Sequence, residues 1–317
     1  MRSQSWARIA TRLAILAVLA TTSPRTGAMD PQQKATAPAG GDPRAQKTVA
    51  LEVFVSQGCD LCPSAELLLG KLDAEFGPER VVPISFHVDY FNDAWKDPYS
   101  DPQFSRREWQ YSQLYAKAHA IKNDAYLYLT PLLMVDGRVA MVGSNEDTPA
   151  RARAAIRNAL AQPAVVAIEA NLNEGAASAD RTLSVRLAAL DESWAEREVL
   201  LEVVTLEDGL STRVGAGELR GRTYNARHTA RAFAFRPVTL PREGDSETVL
   251  HLTLPAGARP DRTSLAVLVQ DEATGRILQA RRLDWQPVAG SIQEESTEPK
   301  RRAAKGDKAR ARSGKAD

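Results

Sequence analysis

Apolar and polar positions divide the chain into two stretches of different rhythm. From Thr48 to about Leu160, strand-like and helix-like runs alternate. TVALEVFV (48–55) is short, apolar and β-branched, which predicts a buried strand. Ser56-Gln57-Gly58 breaks it, and Cys59 is expected to open a helix, with Pro63 in the first turn where proline is tolerated. Leu67, Leu68, Leu72 and Phe76 recur at helical spacing until Gly77-Pro78 stops the helix. VVPISFHVDY (81–90) predicts a second strand. Asp101-Pro102 opens a helix with Phe104, Tyr111, Leu114, Tyr115 and Ala118 on one face. PLLMVDGRVAMVG (131–143) reads as a hairpin turning at Asp136-Gly137, and Thr148-Pro149 starts a last helix. The order strand, helix, strand, helix, strand, strand, helix implies an α/β domain: a parallel pair joined by a helical crossover, then an antiparallel hairpin and a covering helix.

Beyond Gln162-Pro163 the rhythm changes. VVAIEANL, TLSVRLAAL, EVLLEVVTL, ARAFAFRPVTL, TVLHLTL, LAVLVQD and RILQARRL are short alternating runs separated by turn residues, with almost no helical signal. They predict an all-β, sandwich-like C-terminal domain over 163–288.

The ends carry different signals. Arg2, Arg8 and Arg12 precede the apolar run Leu13–Ala20 and the small-residue site Thr26-Gly27-Ala28, so 1–28 reads as an export signal peptide. The apolar run is too short to span a bilayer. Residues 29–47 read as a flexible leader rich in proline, glycine and alanine, and 289–317 as a disordered basic tail. Lys plus Arg total 41 against 40 Asp plus Glu, a balance that excludes an overall nucleic-acid-binding field. Membrane contact is expected only through the transient export signal or weakly through the basic tail. The expected location is periplasmic or secreted.

Only two cysteines exist, and both lie in Cys59-Asp60-Leu61-Cys62-Pro63. A disulfide closing so short a loop restricts little of the unfolded chain, so the spacing favours exchange chemistry over stapling. Exchange needs one accessible thiolate and a second thiol close enough to resolve the mixed disulfide. A cysteine at a helix start meets unpaired N–H groups and the positive end of the helix dipole, which favour its thiolate. Cys59 is therefore expected to attack and Cys62, more buried, to resolve. Asp60 opposes the thiolate by an amount comparable with the dipole's help, on the order of 1 kcal/mol each, so these residues set no direction of electron flow.

Alternation puts His87 and Asp89 on one face near the carboxyl end of the second predicted strand, where sites on α/β sheets gather, with Tyr90 next to them. His87 there transfers protons, binds a metal with the thiolates, or is a buried histidine held by a loop carboxylate. Trp95, Lys96 and Asp97 follow in a loop that would rim the same cleft. Glu52, seven residues before Cys59, is a candidate to pass a proton to the resolving thiol, or else a solvated edge carboxylate.

Three blocks carry a family resemblance: VALEVFVSQGCDLCPSAELLLGKL, SFHVDYFNDAWKDPYSDPQFSRRE and TPLLMVDGRVAMVGS. Together they resemble the secreted thioredoxin-like family catalogued as domain of unknown function 1223. The resemblance runs from about Val49 to Leu283, and GELRGRTYNARHTARAF and VLVQDEATGRILQA look like the family's C-terminal strands. It implies an α/β thioredoxin-like domain over 48–162. It also implies that Thr130-Pro131 is a cis pair lying against the dithiol and presenting backbone groups to a bound peptide. Two departures bear on partner choice: Asp60-Leu61 stands where the family usually has small residues, and Leu132 follows the threonine–proline pair where a polar residue is common.

The leading expectation is a thiol–disulfide oxidoreductase acting on protein or small thiols with an unknown redox partner, its cofactor being its own redox-active disulfide. One alternative is a metal-handling protein holding Cu(I) through Cys59, Cys62 and His87. Another is an envelope binding protein whose disulfide is not catalytic. With four histidines in the chain, a closed structural zinc site is not expected.

Overall fold

The computed structural model describes residues 43–177 and 179–286. β1 (Val49–Val55), β2 (Val81–His87) and β3 (Leu132–Val135) are buried along their whole length, so both faces of their sheet must be covered. Alternation sorts the side chains. Val49, Leu51, Val53, Val55, Leu133 and Val135 enter one core, while Ala50, Phe54, Val82, Ile84, Phe86, Leu132 and Met134 enter the other. α1 (Cys62–Phe76) and α3 (Thr148–Leu160) contribute to the first core, and α2 (Pro102–Ala118) to the second. α2 starts cleanly because Asp101 accepts the Gln103 amide at 2.7 Å and Pro102 stands in its first turn.

β1 pairs in parallel with β2 and antiparallel with β3, and β3 pairs with β4 (Val139–Val142). The β3–β4 turn puts Asp136 and Gly137 at φ 50° and 62°, as a two-residue turn of the primed type requires. A Cβ at Gly137 would also sit 1.9 Å from the Gly275 carbonyl oxygen, so glycine is demanded twice. The Asp136 carboxylate accepts the Ala50 amide at 2.8 Å and pairs with Lys47 Nζ at 2.9 Å, fixing the start of β1.

The second half supplies β5 (Val166–Glu174), β6 (Asp180–Ala189), β7 (Glu198–Glu207), β8 (Leu210–Arg213), β9 (Thr223–Ala226), β10 (Thr229–Thr239), β11 (Ser246–Thr253), β12 (Thr263–Gln270) and β13 (Ile277–Asp284). β10 lies against the outer edge of β2, with Thr229 opposite Ser85 and the Ser85 amide donating to the His228 carbonyl at 2.8 Å. That joint merges both halves into one mixed sheet in the order β13-β12-β7-β10-β2-β1-β3-β4. A three-stranded sheet, β11-β6-β5, covers part of it: Val166, Ile168, Val185 and Leu187 meet Leu201, Val203, Leu265 and Val267.

The expected architecture, an α/β thioredoxin-like domain followed by an all-β sandwich-like domain, is corrected by this sheet. Among the described residues thirteen strands stand against three α-helices, and four strands of the second half extend the same eight-stranded sheet as the first. Periodicity identifies a strand and its buried face, but says nothing of which strand fills a distant edge. The export signal, most of the leader and the basic tail lie outside the described residues. No described helix is long and apolar enough to cross a membrane.

Candidate functional site: a dithiol beneath a hairpin

Between β1 and α1 the chain turns twice. The Cys59 amide donates to the Ser56 carbonyl at 3.2 Å, and the Cys62 amide to the Cys59 carbonyl at 3.4 Å. α1 therefore begins at Cys62, three residues later than expected, because Cys59 to Cys62 close their own turn first. The polarity of the position is nonetheless retained: the Leu61 and Cys62 amides point at the Cys59 sulfur. Both cysteines are free thiols. Cys59 is 3% exposed and Cys62 fully buried.

The two thiols differ chemically. A hydrogen bond from the Cys62 thiol, with further ones from the Thr130 hydroxyl and the two amides, outweighs burial and lowers Cys59 from 9.0 to about 7. Burial, reinforced by the neighbouring Cys59, pushes the Cys62 thiol well above its ordinary value. Ser56 donates its amide to Cys62 Sγ at 3.4 Å. Thr130 hydrogen-bonds both sulfurs, and its peptide bond to Pro131 is cis. Asp60 and Leu61 face outward at the rim, Leu61 half exposed.

A cover that sequence reasoning missed lies over this pair. The β8–β9 connection brings Val214 and Leu219, and β9 brings Tyr224, into the same apolar cluster as Cys59 and Cys62. Glu218 Oε2 accepts the Asp60 amide at 3.0 Å, and Gln57 Nε2 donates to Thr212 Oγ1 at 3.2 Å. Trp95 packs against Gly215, where a Cβ would come within 2.5 Å of its ring. LSTR and TYNA are too short and polar for either periodicity to register. Their one usable signal is their place in the block GELRGRTYNARHTARAF and its upstream neighbour.

His87 projects to the same side of the sheet as the dithiol and is fully buried. Its Nδ1 lies 2.7 Å from Asp97 Oδ2 and its Nε2 lies 3.2 Å from Glu66 Oε1. Burial opposes the imidazolium, but Asp97 and Glu66 prevail and raise His87 to about 10. Asp97 is itself seated by the Gln57 amide at 2.8 Å and the Tyr99 amide at 3.0 Å. Of the three readings of His87, this geometry is that of a buried histidine held by a loop carboxylate.

Asp89 parts from His87, because β2 ends at His87 and the chain then swings toward α2. Asp89 is held there by the Ser105 side chain, its own amide donating to Ser105 Oγ at 3.0 Å and its carboxylate accepting the Ser105 hydroxyl. Tyr90 donates its hydroxyl to Glu108 Oε2 at 2.9 Å, sets its ring tilted against Tyr128 with centroids 4.2 Å apart, and stays within electrostatic reach of Cys62. Since Glu108 Oε1 also accepts the Leu129 amide at 3.1 Å, α2 ties the Tyr90 loop to the loop that carries Thr130. Trp95 packs beside the dithiol cluster, and Lys96 is exposed.

Glu52 does not approach the dithiol. It points to the opposite face of the sheet, where Arg107 Nε meets Glu52 Oε1 at 2.6 Å and Arg107 Nη1 meets Glu202 Oε1 at 2.7 Å. Tyr111 donates to Glu52 Oε2 at 2.7 Å. Glu52 is thus part of a buried ion triad linking β1, α2 and β7.

His87 is not placed as the third ligand of the Cu(I) alternative: its two ring nitrogens face the Asp97 and Glu66 carboxylates. Among the described residues no group of three or more His, Cys, Asp or Glu side chains is arranged to hold a metal.

Two solved structures share the fold. A protein from Agrobacterium tumefaciens superposes with a TM-score of 0.53 at 21% identity, covering 77% of this chain and 97% of that one. HBP35 of Porphyromonas gingivalis gives a TM-score of 0.54 at 18% identity, covering 76% of each chain. At these identities the likeness speaks for the fold alone. No curated protein matches the chain. The profile of the family described as "Protein of unknown function (DUF1223)" matches residues 50–270, and the chain belongs to that family.

Proposed function

We propose that this member of the family is an exported thiol–disulfide oxidoreductase in which Cys59 attacks and Cys62 resolves. The observation that carries the reading is the asymmetry of the two thiols. Cys59 is ringed by donors that stabilise its thiolate near neutral pH, whereas Cys62, one turn on, is kept as a thiol by burial. Thr130 touches both sulfurs and can follow the charge as it passes from one to the other. The N-terminal sequence pattern supports export to the periplasm or beyond, where protein disulfides persist.

The substrate class is a protein or small-molecule disulfide or thiol. Cys59 is 3% exposed, so a substrate sulfur reaches it only when part of the surrounding cover moves. Reduction of insulin, or oxidation of a reduced test protein, compares wild type with Cys59→Ser. The variant is expected to lose at least about a hundredfold of the rate, within the range typical for removing a catalytic group. Equal activity from both proteins sinks the reading.

A further inference from the structure

One carboxylate oxygen of a buried acid near the dithiol has no partner among the described residues. Glu66 stands four residues after Cys62 on α1, so the two side chains are stacked neighbours on the buried face of one helix, Cβ atoms about 5–6 Å apart. It is 3% exposed. Its Oε1 accepts the Ser85 hydroxyl at 2.6 Å and lies 3.2 Å from His87 Nε2. Its Oε2 has no hydrogen-bond partner among the described residues, and neither has the Tyr224 hydroxyl, on the same cleft between α1 and β9.

Glu66 differs from a structural counterion in both charge balance and hydrogen bonding. The His87 imidazolium already has Asp97 at 2.7 Å, so a second carboxylate leaves the trio one negative charge in excess. A buried carboxylate oxygen left bare also costs stability, which a purely structural site would avoid with an amide or an apolar side chain. An acceptor kept free, beneath a thiol that must lose its proton to react, is what proton transfer requires.

We propose that Glu66 is the group that takes the proton from the Cys62 thiol, directly or through one water held between Glu66 Oε2 and the Tyr224 hydroxyl, with His87 and Asp97 fixing its position. The inference rests on the exchange reading. The Cys59 thiolate attacks a substrate disulfide RS–SR′, forming the Cys59–SR bond and expelling R′S⁻, which is protonated by solvent. Cys62 then passes its proton to Glu66, and its thiolate attacks Cys59 Sγ. The Cys59–Cys62 bond forms, the Cys59–SR bond breaks, and RS⁻ leaves with the proton from Glu66. The substrate disulfide gains two electrons and the dithiol loses two. The groups facing this transfer are Cys59 from the turn before α1, His87 from β2, Tyr90 and Asp97 from the following loops, Tyr224 from β9, and Arg222 and Arg227, which line the same cleft as Glu66.

The test uses the full chain, reduced, mixed with excess 4,4′-dithiodipyridine in a stopped-flow instrument. One thiopyridone is released when Cys59 attacks and a second when Cys62 resolves. Glu66→Gln is expected to leave the first phase within about twofold of wild type and to slow the second by about 10²-fold at pH 7, the lower end of general-base effects. The difference should close at alkaline pH, where Cys62 ionises unaided. An unchanged second phase in the folded variant overturns the proposal. If Glu66→Gln does not fold, wild type carries the test: a second phase nearly independent of pH between 6 and 8 supports an internal acceptor, and a tenfold rise per pH unit overturns it. Absence of any second release in wild type strikes the exchange reading instead.

Discussion

His87 is a test of how the site is charged. Its ordinary value is 6.5 and in the folded protein it is raised to about 10, so folding takes up a proton at this ring between those values. The stabilisation is complete below about pH 6.5 and is lost as pH rises through about 10, with a slope of up to about 1.4 kcal/mol per pH unit. Cys59 acts with the opposite sign. Its thiol is lowered from 9.0 to about 7, so its contribution is complete above 9 and is lost as pH falls through 7. Glu108, raised by burial to about 8, slopes the same way as His87 but is spent by then. Urea denaturation of Cys59→Ser between pH 8 and 10 should therefore show stability falling with pH, and the added His87→Gln change should flatten that slope. Parallel curves for the two proteins would refute a protonated, doubly paired His87. Single residues were the most legible level: Thr130, implied by the family resemblance, hydrogen-bonds both sulfurs, Tyr90 stays within electrostatic reach of Cys62, and His87 lies on the dithiol's side of the sheet in the carboxylate-held form that was one of its three readings. Glu66 was not legible, because an acid in a helix beside Lys71, Asp73 and Glu75 looks solvated until its helix face is known.

Elements were legible where periodicity is long and lost where it is short. α1, α2, α3 and the seven long strands of the second half fall where apolar runs predicted them, yet β8 and β9, at four residues each, did not register. Nor does periodicity show what lies across a helix–sheet contact. Glu52 sits inside an apolar strand, and only the packing of α2 shows that it meets Arg107 and not the cysteines. That contact makes a prediction about stability. Arg107→Met leaves Glu52 and Glu202 buried without their cation, which costs about 3–5 kcal/mol, whereas replacing all three by apolar residues of similar volume should be far milder. Chemical denaturation measures both. Glu52→Gln should lower stability but leave the alkylation midpoint of Cys59 near 7 in the folded protein. A midpoint displaced by a full pH unit would return Glu52 to the site.

The sheet decides what part of the chain can fold. A fragment of residues 43–162 keeps the dithiol, Thr130, His87 and Glu66, and from its sequence pattern it reads as self-sufficient. In the structure its sheet and both of its cores continue into the second half. Without β10 the edge of β2 loses its cover, including the Ser85 amide bond to His228. Without β7 and β12, the α2 core loses Val204, Leu206, Ala266 and Leu268, and Arg107 loses Glu202. Without β8 and β9, Val214, Leu219 and Tyr224 no longer lie over the thiols. Each loss exposes apolar surface or unpaired backbone at about 25 cal/mol per Å² or about 1 kcal/mol per group, and marginal stability cannot absorb the total. The fragment is expected to melt without a cooperative transition, and its two cysteines should be alkylated at similar rates, since both the donors around Cys59 and the burial of Cys62 need the folded site. Residues 43–286 should melt cooperatively and keep Cys59 the faster of the two. Calorimetry with timed alkylation and mass spectrometry reads both properties. A fragment that melts cooperatively near the melting temperature of the longer chain, with Cys59 still selectively reactive, would mean that the second half is an accessory to the dithiol and not part of the fold that makes it unequal.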